Sequence, residues 1–225
     1  MYFDELELED EVLDGLEAMN FLETTPVQEA SIPLLLERRD MIACAQTGTG
    51  KTAAYLLPII NRLSRGEGDP KKVNAVIMAP TRELAIQIEQ QVEGFAYFLP
   101  VSSVAIYGGT DGIAWEQQRR GMALGAEIVI ATPGRLLALM NLQQADLSGV
   151  TYFVLDEADR MLDMGFQEDI MQINNALPKD CQRVMFSATM PPKIKKFART
   201  ILHNPAEVEL AISRPPESIV QSAYV

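Results

Sequence analysis

Residues 45–52 combine two glycines with a lysine and three threonines: Ala45-Gln46-Thr47-Gly48-Thr49-Gly50-Lys51-Thr52. It lies between the short apolar run 41–44 and residues 52–63, whose apolar positions have helical spacing. The glycines allow the backbone to curl, so that successive N–H groups and the start of the helix point at one spot. A phosphate chain fits that spot, with Lys51 reaching its outer phosphates and the Thr52 hydroxyl as a ligand of Mg²⁺. The alternative is a chance glycine turn before a helix.

A second candidate site consists of carboxylates that follow another apolar run. Asp156 and Glu157 come directly after residues 152–155, so a parallel sheet would place both at its ligand-binding edge. Asp156 suits the Mg²⁺ shell, through a bound water, and Glu157 suits orienting or deprotonating an attacking water. The alternative is a solvated helix start, because acidic residues favour helix N-termini. Since both sites follow predicted strands, we favour a hydrolytic site with Lys51, Asp156 and Glu157 as its catalytic residues.

Short apolar runs alternate with amphipathic segments along most of the chain. The runs, which indicate buried parallel strands, are 41–44, 75–78, 104–107, 128–130, 153–155 and 184–186. The segments with helical spacing are 52–63, 82–98, 111–123, 134–140, 166–177 and 192–202. Such repeated units predict an α/β fold with a mostly parallel central sheet flanked by helices. Right-handed crossovers then bring the carboxyl ends of all strands to one edge.

Composition limits the class of protein. The chain has 225 residues, of which 48% are hydrophobic, and this is enough for one domain with a sizeable core. The net charge of −12 is concentrated in residues 1–40, which hold 12 acids and 2 bases, so a local basic face remains compatible with the rest. Without a long apolar run or a signal sequence, the chain is predicted to be cytoplasmic and not bound to a membrane. Cys44 and Cys181 are expected to be reduced.

The acidic motif Asp156-Glu157-Ala158-Asp159 and the glycine stretch together resemble those of the DEAD-box ATP-dependent RNA helicases. Four more segments are similar to motifs of that family, in the family's order: Pro80-Thr81-Arg82-Glu83-Leu84, Gly108-Gly109, Thr132-Pro133-Gly134-Arg135 and Ser187-Ala188-Thr189. The resemblance covers nearly the whole chain. It implies the N-terminal RecA-like P-loop NTPase domain of such a helicase, with ATP and Mg²⁺ as cofactors.

An adenine-reading element is implied upstream of the glycine stretch. Thr25-Pro26-Val27-Gln28 resembles this element of the family, and the Gln28 amide offers a donor and an acceptor that distinguish ATP from GTP. Phe3 stands at the distance of the family's aromatic residue that stacks on the base. Asn20-Phe21 replaces the usual Gly-Phe, and Asn tolerates a left-handed backbone there.

Three divisions of the chain follow from this resemblance. Residues 1–40 are predicted to be an adenine-recognising segment packed on the core, and residues 41–212 to be the RecA-like ATP-binding domain. Residues 213–225 are predicted to be a linker toward a second RecA-like domain that is absent from this chain.

RNA contacts are implied for three of the motifs. In the family, residues matching Pro80-Thr81-Arg82, Gly108-Gly109 and Thr132-Pro133-Gly134-Arg135 contact the sugar-phosphate backbone of a single strand, independently of sequence. Their chemistry agrees, since helix N-termini offer N–H groups and Arg82 and Arg135 supply charge. Thr-Pro-Gly taken alone is an ordinary turn and helix start.

Communication between the two ligands is implied for the last motif. The hydroxyl groups of Ser187 and Thr189 are expected to hydrogen-bond the Asp159 region and to couple nucleotide state to the RNA face. The alternative is that these hydroxyls cap the helix that begins near Pro191-Pro192.

One catalytic element has no candidate in the sequence. Phosphoryl transfer needs charge stabilisation opposite the glycine loop, commonly from an arginine finger. The resemblance implies that a second RecA-like domain supplies it, so we expect a monomeric chain that binds adenine nucleotide weakly with little or no turnover. The alternatives are a nucleotide-gated RNA clamp without enzymatic activity, and a DNA helicase or another P-loop NTPase.

Overall fold

The structure, a computed structural model, describes residues 1–109 and 112–210. The linker predicted for residues 213–225 therefore lies outside the described residues, as do residues 211 and 212 of the predicted domain. No helix within the described ranges is both long and apolar enough to span a bilayer.

The described strands form one sheet in which every neighbouring pair is parallel. They are β1 (Met41–Cys44), β2 (Ala75–Met78), β3 (Ser103–Ile106), β4 (Ile128–Ala131), β5 (Tyr152–Leu155), β6 (Gln182–Ser187) and β7 (Ala206–Glu209). Their order across the sheet is β3-β4-β2-β5-β6-β1-β7. The predicted α/β fold is confirmed, and β7 is a strand that the sequence pattern does not predict.

Helices cover both faces of this sheet. They are α1 (Asp10–Ala18), α2 (Pro26–Leu36), α3 (Lys51–Ser64), α4 (Arg82–Phe95), α5 (Gly112–Ala123), α6 (Pro133–Asn141), α7 (Ala158–Asp163), α8 (Gln167–Ala176) and α9 (Pro192–Ile201). A short 3-10 turn at Phe3–Glu5 precedes α1. Of these, α1, α2 and α7 are not among the predicted helices.

Two hydrophobic clusters fill the space between the sheet and its helices. Along β2, Ala75 and Ile77 point into one cluster, and Val76 and Met78 point into the other, as the alternation of side chains along a strand requires. The first cluster includes residues of α1 to α4, and the second includes residues of α5 to α9. Burial of both faces explains why β2, β4 and β5 are continuous apolar runs.

The first forty residues pack against the same core as β1. Val12, Val27 and Ile32 are fully buried in the first cluster. The buried Asn61 side chain on α3 holds the chain before α1, because the Glu9 N–H donates to its Oδ1 (2.7 Å) and its Nδ2 donates to the Glu7 carbonyl (3.2 Å). The division at residue 40 stays a prediction, although packing of this segment on the core agrees with it.

The strand order divides the carboxyl edge of the sheet into two halves. The three segments with implied RNA contacts follow β2, β3 and β4, which are neighbours at one side. The glycine loop, the Asp156 motif and the Ser187 motif lie at the ends of β1, β5 and β6, which are neighbours at the other side. The fold therefore separates a candidate nucleotide half from a candidate RNA half, with β2 and β5 in contact at the boundary.

Candidate functional site

The glycine loop has the left-handed backbone that its sequence predicts. Gly48 and Gly50 have φ values of 81° and 89°, a region that side chains with a Cβ rarely adopt. Inside the loop the Thr49 hydroxyl donates to the Gln46 carbonyl (2.8 Å), which closes the turn. Helix α3 then begins at Lys51, so its free N–H groups face the concave side of the loop.

Ala45 replaces a glycine without strain. It is buried, and its N–H donates to the Ser187 carbonyl (3.0 Å), which continues the pairing of β1 with β6. Its φ is not positive, so no glycine is required at this position. The departure from the usual motif therefore leaves the loop geometry intact.

The loop borders a cavity of about 820 Å³. Nine of the predicted nucleotide or catalytic residues line it: Thr25, Gln28, Thr47, Gly48, Gly50, Lys51, Thr52, Asp156 and Glu157. Ala45, Gln46 and Thr49 belong to the same loop but do not line the cavity. Leu84, Gln87 and Gln91 also line it, although no sequence motif predicts them as part of the nucleotide site. Their i, i+3 and i+7 spacing on α4 is the only signal that would have placed them on one face.

Lys51 carries the strongest indication of a bound anion. Its side chain lines the cavity but is only 5% exposed, and its Nζ has no hydrogen-bond partner among the described residues. Burial of an unpaired ammonium group costs free energy, which an anion in the cavity would recover. Together with the N–H groups at the start of α3, this orphaned cation fits a polyphosphate.

Gln28 connects α2 to the glycine loop. Its Oε1 accepts from the Thr25 N–H (2.9 Å), and its Nε2 donates to the Gly50 carbonyl (3.0 Å). A Cβ at position 50 would lie 2.5 Å from this Nε2, so the contact depends on glycine. A primary amide has two donor hydrogens and two acceptor lone pairs, so Gln28 has one of each unused in this structure, with its side chain 1% exposed at the wall of the cavity.

The structure does not bring Phe3 into the cavity. The ring is 3% exposed, because the 3-10 turn directs it into the first hydrophobic cluster. It borders a separate cavity of about 280 Å³ that it shares with Phe21 and Leu22. Phe21 and Leu22 also line the larger cavity, so they are the apolar side chains of this segment that face it. Asn20 before them has φ 60°, which confirms the left-handed turn expected there.

Asp156 is held by two hydrogen bonds at the end of β5. It is 2% exposed, its Oδ2 accepts from the Tyr55 hydroxyl (2.9 Å), and its Oδ1 accepts from the Glu157 N–H (2.9 Å). Burial raises the pKa of Asp156 above its usual 3.8, and the positive charge of Lys51 opposes this change. Tyr55 lies on α3 and is absent from the sequence-based site.

Glu157 adopts a strained backbone next to this carboxylate. Its φ and ψ are both 51°, in the left-handed region that non-glycine residues rarely occupy. This conformation starts α7 immediately after β5, and the Glu157 side chain lines the cavity. Arg160 Nη1 lies 3.2 Å from Glu157 Oε2 on the solvent side.

The predicted link between the ends of β5 and β6 is present through Thr189, whereas the Ser187 hydroxyl donates to Thr189 and not to the Asp159 carboxylate. Asp159 Oδ2 accepts from both the N–H (3.0 Å) and the hydroxyl (2.8 Å) of Thr189, and the Ser187 hydroxyl donates to the Thr189 carbonyl (2.7 Å). Burial raises the pKa of Asp159, but the hydrogen bonds from Thr189 and the Arg160 N–H outweigh it and leave the pKa lowered. Helix α9 has no side-chain cap, so the alternative role of these hydroxyls is not observed.

Two of the implied RNA segments begin helices. Thr81 caps α4, where its hydroxyl oxygen accepts from the Leu84 N–H (3.3 Å), and Thr132 precedes α6, which has Pro133 in its first turn. The preceding Pro80 is buried. Gly108, Gly109 and Gly134 are exposed, so backbone is open to solvent in two of the three segments.

Both implied RNA arginines lie over aromatic rings. Arg135 Cζ is 3.3 Å from the centroid of Trp115, and Arg82 Cζ is 5.9 Å from that of Tyr107. The close stack covers one face of the Arg135 guanidinium and fixes its plane, while burial lowers the pKa of this group. Trp115 lies on α5, and no sequence motif identifies it as the partner of Arg135.

The metal chemistry of the site is limited to a few protein ligands. No group of three or more His, Cys, Asp and Glu side chains that could hold a metal occurs in the part of the chain that the structure describes. A Mg²⁺ ion held by Thr52 and Asp156 would therefore take most of its octahedral shell from phosphate oxygens and water, which is its usual preference in nucleotide sites. The donor set fits Mg²⁺ in that manner.

A glycine loop between β1 and α3, with a carboxylate two strands away at the same edge, defines a P-loop NTPase domain of the RecA-like type. Comparison with known proteins is more specific. The model of the family described as DEAD/DEAH box helicase matches residues 25–197, which is more than half of the chain. The chain belongs to the DEAD/DEAH box helicase family.

Similar proteins occur in organisms as different as bacteria and plants. The chain is 39% identical, over 99% of its length, to the ATP-dependent RNA helicase CshA of Listeria monocytogenes, and 40% identical, over its full length, to the DEAD-box ATP-dependent RNA helicase CshA of Streptococcus pneumoniae. It spans 42% of each of these curated relatives. A crystal structure of a DEAD box protein from the hyperthermophile Methanococcus jannaschii superposes with a TM-score of 0.87 at 36% identity, covering 94% of this chain and 56% of that one.

Proposed function

We propose that this chain is the ATP-binding and RNA-backbone-binding domain of an ATP-dependent RNA helicase, which couples ATP hydrolysis to local duplex unwinding or RNP remodelling. The observation that carries the proposal is the buried Lys51 ammonium group, which faces a large cavity without a hydrogen-bond partner among the described residues. Membership of the DEAD/DEAH box family supports ATP as the ligand of this cavity.

Each residue in the nucleotide half has a defined role in this proposal. Gln28 reads the adenine edge with its remaining donor and acceptor, and Lys51 binds the outer phosphates as a point charge. Thr52 and Asp156 hold Mg²⁺, which neutralises charge on the phosphates. Glu157 orients or deprotonates the attacking water, and its strained backbone holds the carboxylate toward the cavity.

The RNA half supplies binding without base recognition. The segments after β2, β3 and β4 offer N–H groups at helix starts, exposed glycines and two stacked arginines. These groups recognise phosphates and sugars, so binding is expected to be indifferent to sequence. The contact of Thr189 with Asp159 joins the segments that follow β6 and β5 in the nucleotide half. We propose it as the route by which nucleotide state affects RNA binding.

Turnover is expected to need a second RecA-like domain. The curated relatives are more than twice as long as the region they share with this chain, which leaves room for a domain that closes over ATP and supplies arginines. We propose that this chain alone is a cytoplasmic monomer that binds nucleotide weakly and hydrolyses it little.

Hydrolysis of ATP with and without RNA tests the proposal. The chain alone should show at most a few per cent of the RNA-stimulated rate of a protein extended by the second domain, and RNA should stimulate the extended protein more than DNA of the same sequence. Equal rates for the two proteins would contradict the proposal that turnover needs the second domain. If the extended protein binds RNA tightly but does not hydrolyse ATP, the alternative of a nucleotide-gated RNA clamp without enzymatic activity is favoured.

A further inference from the structure

Tyr55 places a phenol next to the proposed metal site. It lies one turn into α3, four residues after Lys51, and is 1% exposed. Its hydroxyl donates to Asp156 Oδ2 over 2.9 Å, and this bond is fully buried. It is the only side-chain donor to the Asp156 carboxylate among the described residues.

The hydroxyl is not needed for packing of the ring. The ring lies against Phe186 of β6, with centroids 5.5 Å apart, in the first hydrophobic cluster. A phenylalanine would fill the same space and would avoid the cost of burying a hydroxyl group. The hydroxyl therefore contributes to the Asp156 carboxylate, not to the core.

Burial, together with the negative charge of Asp156, raises the pKa of the Tyr55 phenol well above the usual 10, so the hydroxyl stays protonated and able to donate. Asp156 is fixed at both oxygens, since Oδ1 accepts from the Glu157 N–H.

We propose that Tyr55 is a positioning residue that orients the Asp156 carboxylate toward the magnesium ion of the bound nucleotide. This inference rests on the proposed nucleotide function of the same cavity. With one donor fixed on each carboxylate oxygen, the remaining lone pairs of Asp156 point in a defined direction, and no rotation of the side chain is required when the ion binds. Tyr55 itself does not touch the ligand.

The substitution Tyr55→Phe tests the proposal with little change of volume. It should raise the Mg²⁺ concentration that half-saturates nucleotide binding about three- to tenfold, which corresponds to the net contribution of one ordinary hydrogen bond. Binding in the absence of Mg²⁺ should stay within about twofold of the wild type. Both are measured by titrating mant-ADP into the chain at fixed Mg²⁺ concentrations and in EDTA.

Tyr152→Phe is the matched control. Tyr152 is 4% exposed at the far end of β5, and its hydroxyl has no hydrogen-bond partner in residues 1–109 and 112–210. Its loss should leave the Mg²⁺ dependence unchanged. A shift in Tyr55→Phe no larger than in this control would overturn the proposal. Equal weakening with and without Mg²⁺ would do so as well, because it indicates a purely structural role.

A double-mutant cycle with Asp156→Asn separates positioning from folding. If Tyr55 acts through Asp156, Tyr55→Phe should have no further effect on the Mg²⁺ dependence once the carboxylate is removed. An undiminished effect in that background would contradict the inference. If Tyr55→Phe does not fold, wild-type protein labelled with 3-fluorotyrosine is used instead. The fluorine resonance of Tyr55 should then shift when Mg²⁺ is added to the nucleotide complex, and it should not shift when nucleotide is added alone. Absence of mant-ADP binding by the wild type would instead refute the proposed function itself.

Discussion

Gly50 lies where the glycine loop meets α2. At this position a Cβ would approach Gln28 Nε2 to 2.5 Å and Thr25 Oγ1 to 3.0 Å, and φ is 89°. Two constraints therefore coincide at one residue, a left-handed backbone and a close contact with the side chain proposed to read adenine. Gly66 shares only the first constraint, with φ 70° and no heavy atom within 4 Å of a built Cβ.

We therefore expect Gly50→Ala and Gly66→Ala to have different consequences. Both should lower the free energy of unfolding by about 1–2 kcal/mol, since alanine disfavours a left-handed backbone. Only Gly50→Ala should also weaken mant-ADP binding, about tenfold or more, because Gln28 must move. Urea unfolding and mant-ADP titration of both variants measure the two effects. Equal nucleotide affinity in the two variants would contradict the Gln28 contact.

Trp115 is the only tryptophan in the chain, so tryptophan fluorescence reports on the surroundings of this one ring, which include the Arg135 guanidinium. Titration with single-stranded RNA should change this fluorescence with the same midpoint as the anisotropy of a labelled RNA. Trp115→Leu should weaken RNA binding about three- to tenfold because the Arg135 guanidinium loses its stacking partner, and Trp115→Phe should retain most of the affinity. RNA binding that leaves the fluorescence unchanged would argue against a contact at Arg135.

Single residues differ in whether the sequence alone predicts their role. Lys51 and Asp156 are predictable because their chemistry is set by neighbours in the chain, namely a strand end and a glycine turn. Tyr55 and Trp115 are not predictable, because their importance arises from partners about 100 and 20 residues away that only the fold brings together. Phe3 has a sequence position that suggests the cavity, but burial in the core removes it from there.

Pairing of β5 with β6 is the element-scale feature that brings Asp159 to Thr189. The Asp159 pKa is lowered in the folded chain, although burial alone would raise it, so the interaction favours folding above the ordinary pKa of 3.8. Its contribution is fully present near neutral pH and is lost as the pH falls through the lowered pKa. It should be small, at most about 1 kcal/mol, because solvent reaches this group.

The variant Thr189→Val tests this link by its pH dependence. It should be less stable than the wild type near pH 7, and the difference should shrink below about pH 4, because protonated Asp159 no longer favours the bond. Thr200→Val removes a hydroxyl that donates to the Phe197 carbonyl and to Met171 Sδ, and it should show no such pH dependence because neither acceptor ionises. Urea unfolding between pH 3 and 7 measures the free energy of unfolding of each variant. A constant difference between Thr189→Val and wild type over this pH range would refute the role of Asp159.

Elements differ in how well the sequence predicts them. The six predicted strands are apolar runs that both layers of helices bury, and periodicity detects them well. Strand β7 has only four residues that alternate between buried and exposed, so its signal is weak. Helix α2 contains Pro33 and carries apolar residues almost all round, and α7 has six residues, so neither shows a clear helical period.

The whole molecule combines strong acidity with a proposed RNA surface. Residues 1–40 carry most of the negative charge and pack on the side of α1 to α4, while the implied RNA segments supply two arginines, Arg82 and Arg135. RNA binding should therefore depend mainly on N–H groups at helix starts and only slightly on released counterions.

The salt dependence of RNA binding measures how much of the affinity comes from released counterions. With two cations in contact, the slope of log K against log salt concentration should be about −1 to −2 for single-stranded RNA. The anisotropy of a labelled RNA at several salt concentrations between about 50 and 200 mM gives this slope. A slope steeper than about −4 would mean that more cations take part, such as the exposed Lys193, Lys195, Lys196 and Arg199 of α9.

Competition of ATP and GTP for mant-ADP bound to the wild-type chain tests whether this cavity is an adenine-nucleotide site built on Lys51 and Gln28. In the presence of Mg²⁺, ATP should compete at least about tenfold better than GTP, because Gln28 matches the adenine edge. Lys51→Ala should abolish measurable competition, and Gln28→Ala should reduce the preference for ATP. Equal competition by ATP and GTP in the wild type, or unchanged nucleotide affinity in Lys51→Ala, would show that the cavity is not such a site.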